Sequence, residues 1–274
     1  MSNMRNKLII VGVGICICLL IVASFYDLQI SKALYSSNNF YAVFFDCFGE
    51  LPLYTLIPFS LIIIAVYFRQ TERKLLLLTS FCSVIIAYCT TCICLIRFFS
   101  KVLPIYFVVL VAVIVVSLIY SSLLKLSDET IKKLFKFGVF CITFCLALLS
   151  VNQAVKFIWG RCRYYTMAQL NDFSLFSNWW QINGFTGYKS FYSGHTTSAM
   201  SLICLLPLAR LFNMEKKKYI ALHILIFSFV ILVATSRIIY GAHFLSDVTF
   251  AIIMATTIYL ILFKYLGRRL FKKD

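Results

Sequence analysis

The sequence predicts an all-α membrane protein, a polytopic bundle of about eight transmembrane helices. Three observations support this prediction: 62% of the 274 residues are hydrophobic, 13% are charged, and the mean hydropathy is +0.92. A soluble domain carries roughly twice that charged fraction, so lipid must cover much of this chain. Segments that cross the lipid must be helices, because open strands would leave backbone groups without hydrogen bonds.

Eight apolar segments are long enough to form these helices. They lie at residues 8–25, 52–68, 75–96, 102–124, 137–155, 196–212, 219–235 and 244–263. Each approaches the length of about 20 residues that a helix needs to cross the hydrocarbon core. Arg5 and Lys7 precede the first segment as in a signal peptide, but its apolar run is too long, and Phe25 and Tyr26 make Ala23 a poor cleavage site. We therefore expect an uncleaved first helix.

The distribution of positive charge predicts the orientation in the membrane. The formal net charge of +16 would indicate nucleic-acid binding in a soluble protein, but here the charges lie in short clusters between apolar segments. No basic face suits nucleic acid, so we expect none as a partner. With a cytoplasmic N-terminus, the inner segments hold 18 lysines and arginines and the outer segments hold 8. This split predicts a multi-pass plasma-membrane protein with both termini in the cytoplasm and the loop 156–194 outside.

The eleven cysteines do not indicate a disulfide framework. Most lie in apolar segments, where cysteine behaves as a small hydrophobic residue. Only Cys47 and Cys162 lie in predicted loops, so the sequence allows one disulfide without requiring it. Cys92 and Cys94 have the wrong spacing for a zinc site, and no histidine is near them.

Three polar patches, at residues 156–164, 190–198 and 236–247, lie at predicted helix ends. The alternation of the spans places all three at the outer face. A single basic residue or histidine at a helix end is often only an interfacial anchor or a polar cap. Asp247 is different, because a carboxylate in a membrane span is costly and is functional by default. The three patches at one level together predict an active site.

All three patches supply groups that bind anions. Lys156, Arg163 and Arg237 can surround an anion, since arginine pairs two phosphate oxygens at once and lysine adds a point charge. Ser193 and Gly194 open a helix, where backbone N–H groups lack partners and the macrodipole is positive. These residues predict a phosphate-binding site.

The remaining groups can transfer protons and a phosphoryl group. His243 and Asp247 are four residues apart and share one helical face. The carboxylate can accept a proton from one imidazole nitrogen and leave the other nitrogen as the nucleophile. His195 follows Gly194 at the start of its helix. Arg161 could contact a second phosphate or a headgroup or anchor the loop, and we favour the anchor; we interpret His223, inside a span, as structural.

At these residues the sequence resembles the type-2 phosphatidic acid phosphatase superfamily, which includes bacterial lipid phosphatases and undecaprenyl-pyrophosphatases and is related to vanadium haloperoxidases. The family pattern has Lys, six residues and Arg-Pro; then Pro-Ser-Gly-His; then Ser-Arg, five residues, His, three residues and Asp. The matching positions are Lys156, Arg163, Ser193, Gly194, His195, Ser236, Arg237, His243 and Asp247. Tyr164 and Tyr192 stand where the family has its two prolines. The similarity covers roughly residues 137–263.

The resemblance implies a fold and a mechanism. Residues 137–274 would form a catalytic core of the phosphatase and haloperoxidase type, preceded at 1–136 by four further helices in one continuous membrane domain. His243 would attack phosphorus and Asp247 would orient it, while His195 would protonate the leaving lipid oxygen and then activate water. Residues that would hold the phosphate oxygens are Lys156, Arg163, Arg237 and the N–H groups of Ser193 and Gly194. No metal and no cofactor would be needed.

These features predict a phosphatase whose partner is the bilayer and whose substrate is a lipid phosphate or diphosphate. Undecaprenyl pyrophosphate, phosphatidic acid, phosphatidylglycerol phosphate and lipid A all fit, and the sequence does not choose among them. Three alternatives stay open: a phosphotransferase with the same phosphohistidine, a transporter or flippase, and an inactive relative that has lost both prolines. The sequence predicts no oligomeric state.

Overall fold

The computed structural model describes residues 2–70, 81, 84–86, 88, 89, 91, 92, 96 and 104–271. The α-helices that it describes include, in chain order, α1 (Ser2–Leu34), α2 (Phe40–Phe48), α3 (Leu51–Gln70), α4 (Ile105–Leu124), α5 (Asp128–Trp159), α6 (Tyr164–Leu170), α7 (Gly194–Met200), α8 (Leu208–Leu211), α9 (Lys216–Ile239) and α10 (Leu245–Leu262). A π-helical turn, Phe263–Gly267, and a last short helix, α11 (Arg268–Leu270), follow. The described part of the chain contains no strand, which agrees with the predicted all-α class.

Six stretches of the described residues are long and apolar enough to cross a membrane, judged by length and composition. They are Val11–Leu34, Phe40–Arg69, Tyr106–Leu124, Asp128–Leu170, Lys216–Ile239 and Leu245–Leu270. Each overlaps one of the predicted segments. The predicted segment 75–96 lies largely outside the described residues, as do the first residues of the segment 102–124. The prediction of about eight helices is therefore close for the part of the chain that is described.

The segment 196–212 differs from its prediction as one long helix. It forms α7, a 3₁₀ stretch at Ser201–Leu205 and the single turn of α8. Proline cannot donate the hydrogen bond that would continue a helix, and Pro207 stands at the break. The hydroxyl of Ser201 also donates to the carbonyl of Ser198 at 2.6 Å, and this hydrogen bond competes with the regular backbone pattern of the helix.

The chain forms two compact units. The first contains Met1–Glu50, Ala147–Ile203 and Lys216–Tyr259. Within it α9 packs against α7 and α2, and α1 packs against α9 and α6. The first helix was predicted to end near residue 25, but α1 continues to Leu34. No helix was predicted at 40–48, where α2 forms. Both additions bring acidic side chains into this unit.

The second unit contains Leu51–Leu146, Cys204–Glu215 and Leu260–Asp274. Here α3 packs against α4, and the Phe140 ring meets the rings of Phe263 and Phe271 at centroid distances of 6.1 and 5.4 Å. The Cys141 and Cys204 sulfur atoms lie 3.3 Å apart as free thiols. Each unit takes residues from both sides of position 137, so the N-terminal helices belong to the same units as the C-terminal half.

Candidate active site

All three predicted patches lie in the first compact unit. The unit brings together the residues that follow α5, the start of α7, the end of α9 and the start of α10. The predicted site residues Lys156, Arg163, Ser193, Gly194, His195, Arg237, His243 and Asp247 all belong to it. The three patches, which the alternation of the predicted helices placed at one level, therefore lie in one compact unit.

Lys156 reaches the start of α7 from the last turn of α5. Its Nζ atom lies 3.0 Å from the point that a Cβ on Gly194 would occupy, and the Glu50 carboxylate lies 3.6 Å from the same point. A Cβ at position 194 would crowd the ammonium group, so glycine favours this close approach. Arg163 donates from Nη1 to the Tyr165 hydroxyl at 2.6 Å. The charges of Lys156 and Arg163 both act on His243.

His243 is buried and neutral. Burial is the largest cause that lowers the pKa of His243 from 6.5 to about 3; Asp247 opposes this shift, and Lys156 and Arg163 contribute to it. The His243 Nδ1 atom lies 3.5 Å from Oδ2 of Asp247 and has no hydrogen-bond partner among the described residues. At this separation the pair is at the limit of a hydrogen bond. The Nδ1 atom faces the carboxylate, so Nε2 is the nitrogen left for chemistry.

Asp247 is fully buried and accepts several hydrogen bonds. Its carboxylate accepts from Arg161 Nη1 at 2.6 Å, from the Ser190 hydroxyl at 2.5 Å and from the backbone N–H of Phe244 at 3.0 Å. The last bond reaches back from the first turn of α10 to the residue before the helix, as in a capping box. These donors keep the carboxylate charged and fix it beside His243.

Arg161 corrects the sequence prediction of a loop anchor. Its side chain is fully buried and forms ion pairs with Asp247 at 2.6 Å and with Asp27 at 2.9 Å. Its Nε donates to the carbonyl of Ser177 at 2.9 Å. An anchor would keep its charged head in water or among lipid headgroups. Arg161 is instead a central member of the buried polar network.

Arg237 is held by an acidic residue that the sequence analysis did not select. Its Nη2 lies 2.8 Å from the carboxylate of Asp46 in α2. The Nε and Nη1 atoms are buried and have no hydrogen-bond partner among the described residues. A buried guanidinium donor without a partner is costly, so these atoms are suited to an anionic ligand.

His195 is enclosed by the segment that ends α2. Its Nε2 lies 3.1 Å from the carbonyl oxygen of Asp46, and its Nδ1 lies 3.3 Å from the Glu50 carboxylate. Both nitrogens therefore face oxygen acceptors, and a ring that carries a proton on each nitrogen satisfies both. The backbone of Glu50 is fixed in turn, because the Ser198 hydroxyl donates to its carbonyl at 2.8 Å.

Ser193 has a role in addition to the one predicted. Its backbone N–H donates to the carbonyl oxygen of Asp247 at 3.2 Å, and its hydroxyl caps α7 by accepting from the N–H of Thr196. Both groups have protein partners in this arrangement, and the predicted contact of the Ser193 N–H with phosphate stays a prediction. Ser193 joins the starts of α7 and α10.

The two tyrosines at the proline positions are packed into the unit. Tyr164 is the first residue of α6, where proline is favoured because the N–H of that position has no partner within the helix. Its ring meets that of Tyr35 edge-on, with centroids 5.1 Å apart. Tyr192 is fully buried, and burial raises the pKa of its hydroxyl to about 12. Both rings fill space that proline would leave open.

The acidic residues Asp27, Asp46 and Glu50 were missed because they lie outside the three patches. The chain has only ten acidic residues, so a carboxylate within or beside an apolar helix was itself a signal. Among the described residues, no group of three or more His, Cys, Asp or Glu side chains is arranged to hold a metal ion. Cys47 and Cys162, the predicted loop cysteines, are both free thiols.

Comparison with known proteins identifies the family. The family model described as the PAP2 superfamily matches residues 137–271, which span all three patches. No curated protein and no solved structure matches the chain significantly. The matched region contains the whole of the motif set, from Lys156 to Asp247. Through this region the chain belongs to the PAP2 superfamily, the type-2 phosphatidic acid phosphatases and their relatives, whose activity is phosphatase activity on phosphate esters.

Proposed function

We propose that the protein is an integral membrane phosphatase that hydrolyses a lipid phosphate or diphosphate through a phosphohistidine. The observation that carries this proposal is the neutral, buried imidazole of His243 between the Asp247 carboxylate and two cationic side chains, Lys156 and Arg163. A nucleophile must be unprotonated, and the charges beside it must favour the phosphate that it attacks.

In the first step, His243 Nε2 forms a bond to phosphorus while the bond from phosphorus to the lipid oxygen breaks. The imidazole becomes cationic and the Asp247 carboxylate stabilises it. His195 gives a proton to the departing oxygen from a ring nitrogen that leaves its present oxygen acceptor, while the other nitrogen keeps its acceptor and supports the protonated ring. Lys156, Arg163 and the unpaired donors of Arg237 would bind the negative oxygens of the phosphoryl group.

In the second step, water attacks the phosphohistidine. His195, now neutral, accepts a proton from the water, the bond from nitrogen to phosphorus breaks, and His243 returns to its neutral form. Inorganic phosphate leaves and both histidines regain their starting states. The cycle consumes one water and needs no other reactant.

Two features support a lipid rather than a soluble phosphate ester. The site lies at the ends of apolar helices, and Phe157 and Ile158, next to Lys156, are exposed at 63% and 47%. An acyl or prenyl chain in the bilayer would contact such side chains while its phosphate reaches the cations. The class of lipid phosphate, whether monophosphate or diphosphate, is part of what the assay must determine.

The first prediction concerns catalysis without metal. Purified protein in detergent should release inorganic phosphate from phosphatidic acid or undecaprenyl pyrophosphate in the presence of EDTA. His243→Ala should lose on the order of a thousandfold or more in kcat, because it removes the nucleophile. His223→Ala is the matched control, since His223 is also buried but its Nδ1 contacts the carbonyl of Tyr219, and this variant should retain its activity.

Two results would contradict the proposal. Activity that is restored only by added divalent metal would exclude a cycle that depends on these side chains alone. Near-normal turnover by folded His243→Ala would exclude His243 as the nucleophile. Trapping of radioactive phosphate on the protein, stable in alkali and lost in acid, would support the phosphohistidine directly.

A further inference from the structure

A buried ionic cluster connects the first helix to the carboxylate beside His243. Its members are Asp27, Arg161, Ser246 and Asp247, and each is 2% exposed or less. Asp27 belongs to α1 and lies outside residues 137–271, which match the superfamily. Neither Asp27 nor Arg161 contacts phosphate in the mechanism proposed above, so the cluster needs a separate explanation.

Arg161 lies between the two carboxylates. Its Nη2 donates to Asp27 at 2.9 Å, and its Nη1 donates to Asp247 at 2.6 Å and to the Ser246 hydroxyl at 2.8 Å. Its guanidinium carbon lies 4.1 Å from the centroid of the Phe244 ring. An arginine fixed on this many sides cannot turn towards a substrate. Its charge acts on Asp27 and Asp247.

Asp27 also fixes the start of α10. Its Oδ1 accepts from the backbone N–H of Ser246 at 3.0 Å, and its Oδ2 accepts from the Ser246 hydroxyl. A carboxylate at the N-terminus of a helix is favoured by the macrodipole and by the N–H groups without partners. Asp247 lies in the first turn of α10, and His243 lies two residues before that helix begins. Asp27 of α1 therefore fixes the segment that carries the proposed nucleophile.

The charges of the cluster explain why two carboxylates are needed. Asp247 and Asp27 are negative and Arg161 is positive, so one negative charge is left beside His243. Without Asp27, the charge of Arg161 would cancel that of Asp247. The phosphohistidine cation would then form in a buried site without a compensating charge, which is unfavourable at low dielectric.

We propose that Asp27 is a positioning residue for phosphoryl transfer: by neutralising Arg161, it leaves Asp247 with the negative charge that stabilises His243 when the phosphoryl group is attached. This inference rests on the proposed function. Asp27 exchanges no proton and forms no bond to the substrate. It acts on the step in which the bond from Nε2 to phosphorus forms, and much less on the binding of the lipid.

The test uses the full-length enzyme and rapid quenching with a radioactively labelled lipid phosphate that the wild-type protein hydrolyses. Asp27→Asn should slow formation of the phosphohistidine about tenfold and lower the amount trapped, while KM changes less than twofold. Asp27→Glu keeps the charge and should recover most of the rate. Ser31→Ala is the matched control, because Ser31 is fully buried one turn along α1 and its hydroxyl has no partner among the described residues.

A paired variant separates loss of charge from loss of folding. Asp27→Asn combined with Arg161→Gln removes one negative and one positive charge, keeps the net charge of the cluster and leaves Asp247 as its one charged member. Since the proposal is that Asp27 acts by neutralising Arg161, this variant should form phosphohistidine within about threefold of the wild-type rate and faster than Asp27→Asn. If Asp27→Asn does not fold, the paired variant alone decides.

The outcomes are distinguishable. A wild-type protein that hydrolyses no lipid phosphate contradicts the proposed function. A wild-type protein that forms phosphohistidine, with Asp27→Asn equal to it, overturns only the role of Asp27. A paired variant that forms phosphohistidine more than threefold more slowly than the wild type also overturns it. A tenfold loss in Asp27→Asn with recovery in the paired variant supports it, because a merely structural role would lower both variants together.

Discussion

At the residue scale, burial decides the protonation state of His243, the proposed nucleophile. His243 is 2% exposed, and the loss of water around its ring lowers its pKa to about 3 although a carboxylate lies 3.5 Å away. The cation is therefore disfavoured until phosphoryl transfer creates it. In the proposed mechanism, the Asp247 carboxylate stabilises the cationic ring of the phosphohistidine more than the neutral ring of the free enzyme. The carboxylate thus stabilises a transient charge selectively.

The protonation of His243 can be measured directly. An ordinary histidine becomes protonated as the pH falls through about 6.5. His243 should stay neutral until the pH approaches about 3, so nitrogen NMR of histidine-labelled protein in detergent should show no protonation of this ring between pH 8 and pH 5. Only three histidines are present, and His195→Gln and His223→Gln variants assign the signals.

The same ring should titrate near pH 6.5 in denaturant, where burial is lost. A midpoint close to 6.5 in the folded protein would show that water reaches His243, and would remove the main support for its neutral form. The measurement is independent of turnover, so it does not depend on the choice of lipid substrate.

Residue spacing in the sequence predicted the reactive groups but not their partners. His243 and Asp247 are four positions apart, so helical geometry alone made them neighbours. The partners of Arg161 and His195 are far away in the chain: Asp27 is separated from Arg161 by 134 positions, and Asp46 from His195 by 149. No local periodicity encodes such contacts. Only the general cost of a buried carboxylate could have selected these residues.

At the element scale, the end of α5 is set by one glycine. Gly160 has φ +58°, and a Cβ there would lie 2.1 Å from the carbonyl oxygen of Gly184 and 2.7 Å from the Thr186 hydroxyl. The Thr186 hydroxyl donates to the carbonyl of Gly160 at 2.8 Å. This close approach connects the end of α5 to the loop that leads to α7, and it directs Arg161 and Arg163 to their positions in the site.

Gly160→Ala should therefore lower both stability and activity. The left-handed backbone costs a residue with a Cβ about 1–2 kcal/mol, and the clash with the Gly184 backbone adds about 1–3 kcal/mol. Gly184→Ala is the matched control, because Gly184 has φ +74° but a Cβ there would meet nothing within 4 Å. The temperature of half-inactivation in detergent should fall clearly further in Gly160→Ala than in Gly184→Ala. Equal losses would mean that the backbone conformation, and not the close approach, is what matters.

The element boundaries were predictable where hydrophobicity alone decides them and not where buried polar contacts do. The predicted segment 52–68 and helix α3 agree closely. The first helix continues past Asp27 because Arg161 and Ser246 satisfy that carboxylate inside the unit. The segment 196–212 is equally apolar, yet hydroxyl groups and Pro207 interrupt it. Hydropathy measures transfer to lipid and contains no information on either effect.

At the scale of the whole molecule, the N-terminal helices supply charge to the site. Asp27 of α1, Asp46 of α2 and Glu50 after α2 contact Arg161, Arg237 and His195, respectively. The site brings together four lysine and arginine side chains, Lys156, Arg161, Arg163 and Arg237, and these carboxylates reduce the repulsion among the cations. The part of the chain outside the family match thus has a role in the electrostatics of the site as well as in anchoring to the membrane.

The orientation of the molecule is the last prediction. The excess of lysine and arginine in alternate connecting segments predicts cytoplasmic termini and an active site on the outer face. Cysteine at Gln169, an exposed position near the end of α6, should react with a membrane-impermeant maleimide on intact cells, in an active variant without native cysteines. Lys217 is exposed in the first turn of α9, at the end of that helix away from Arg237 and the site. Cysteine at this position should react only after permeabilisation. The reverse pattern would place the site in the cytoplasm, and the lipid phosphates available to the enzyme would then be those of the inner leaflet.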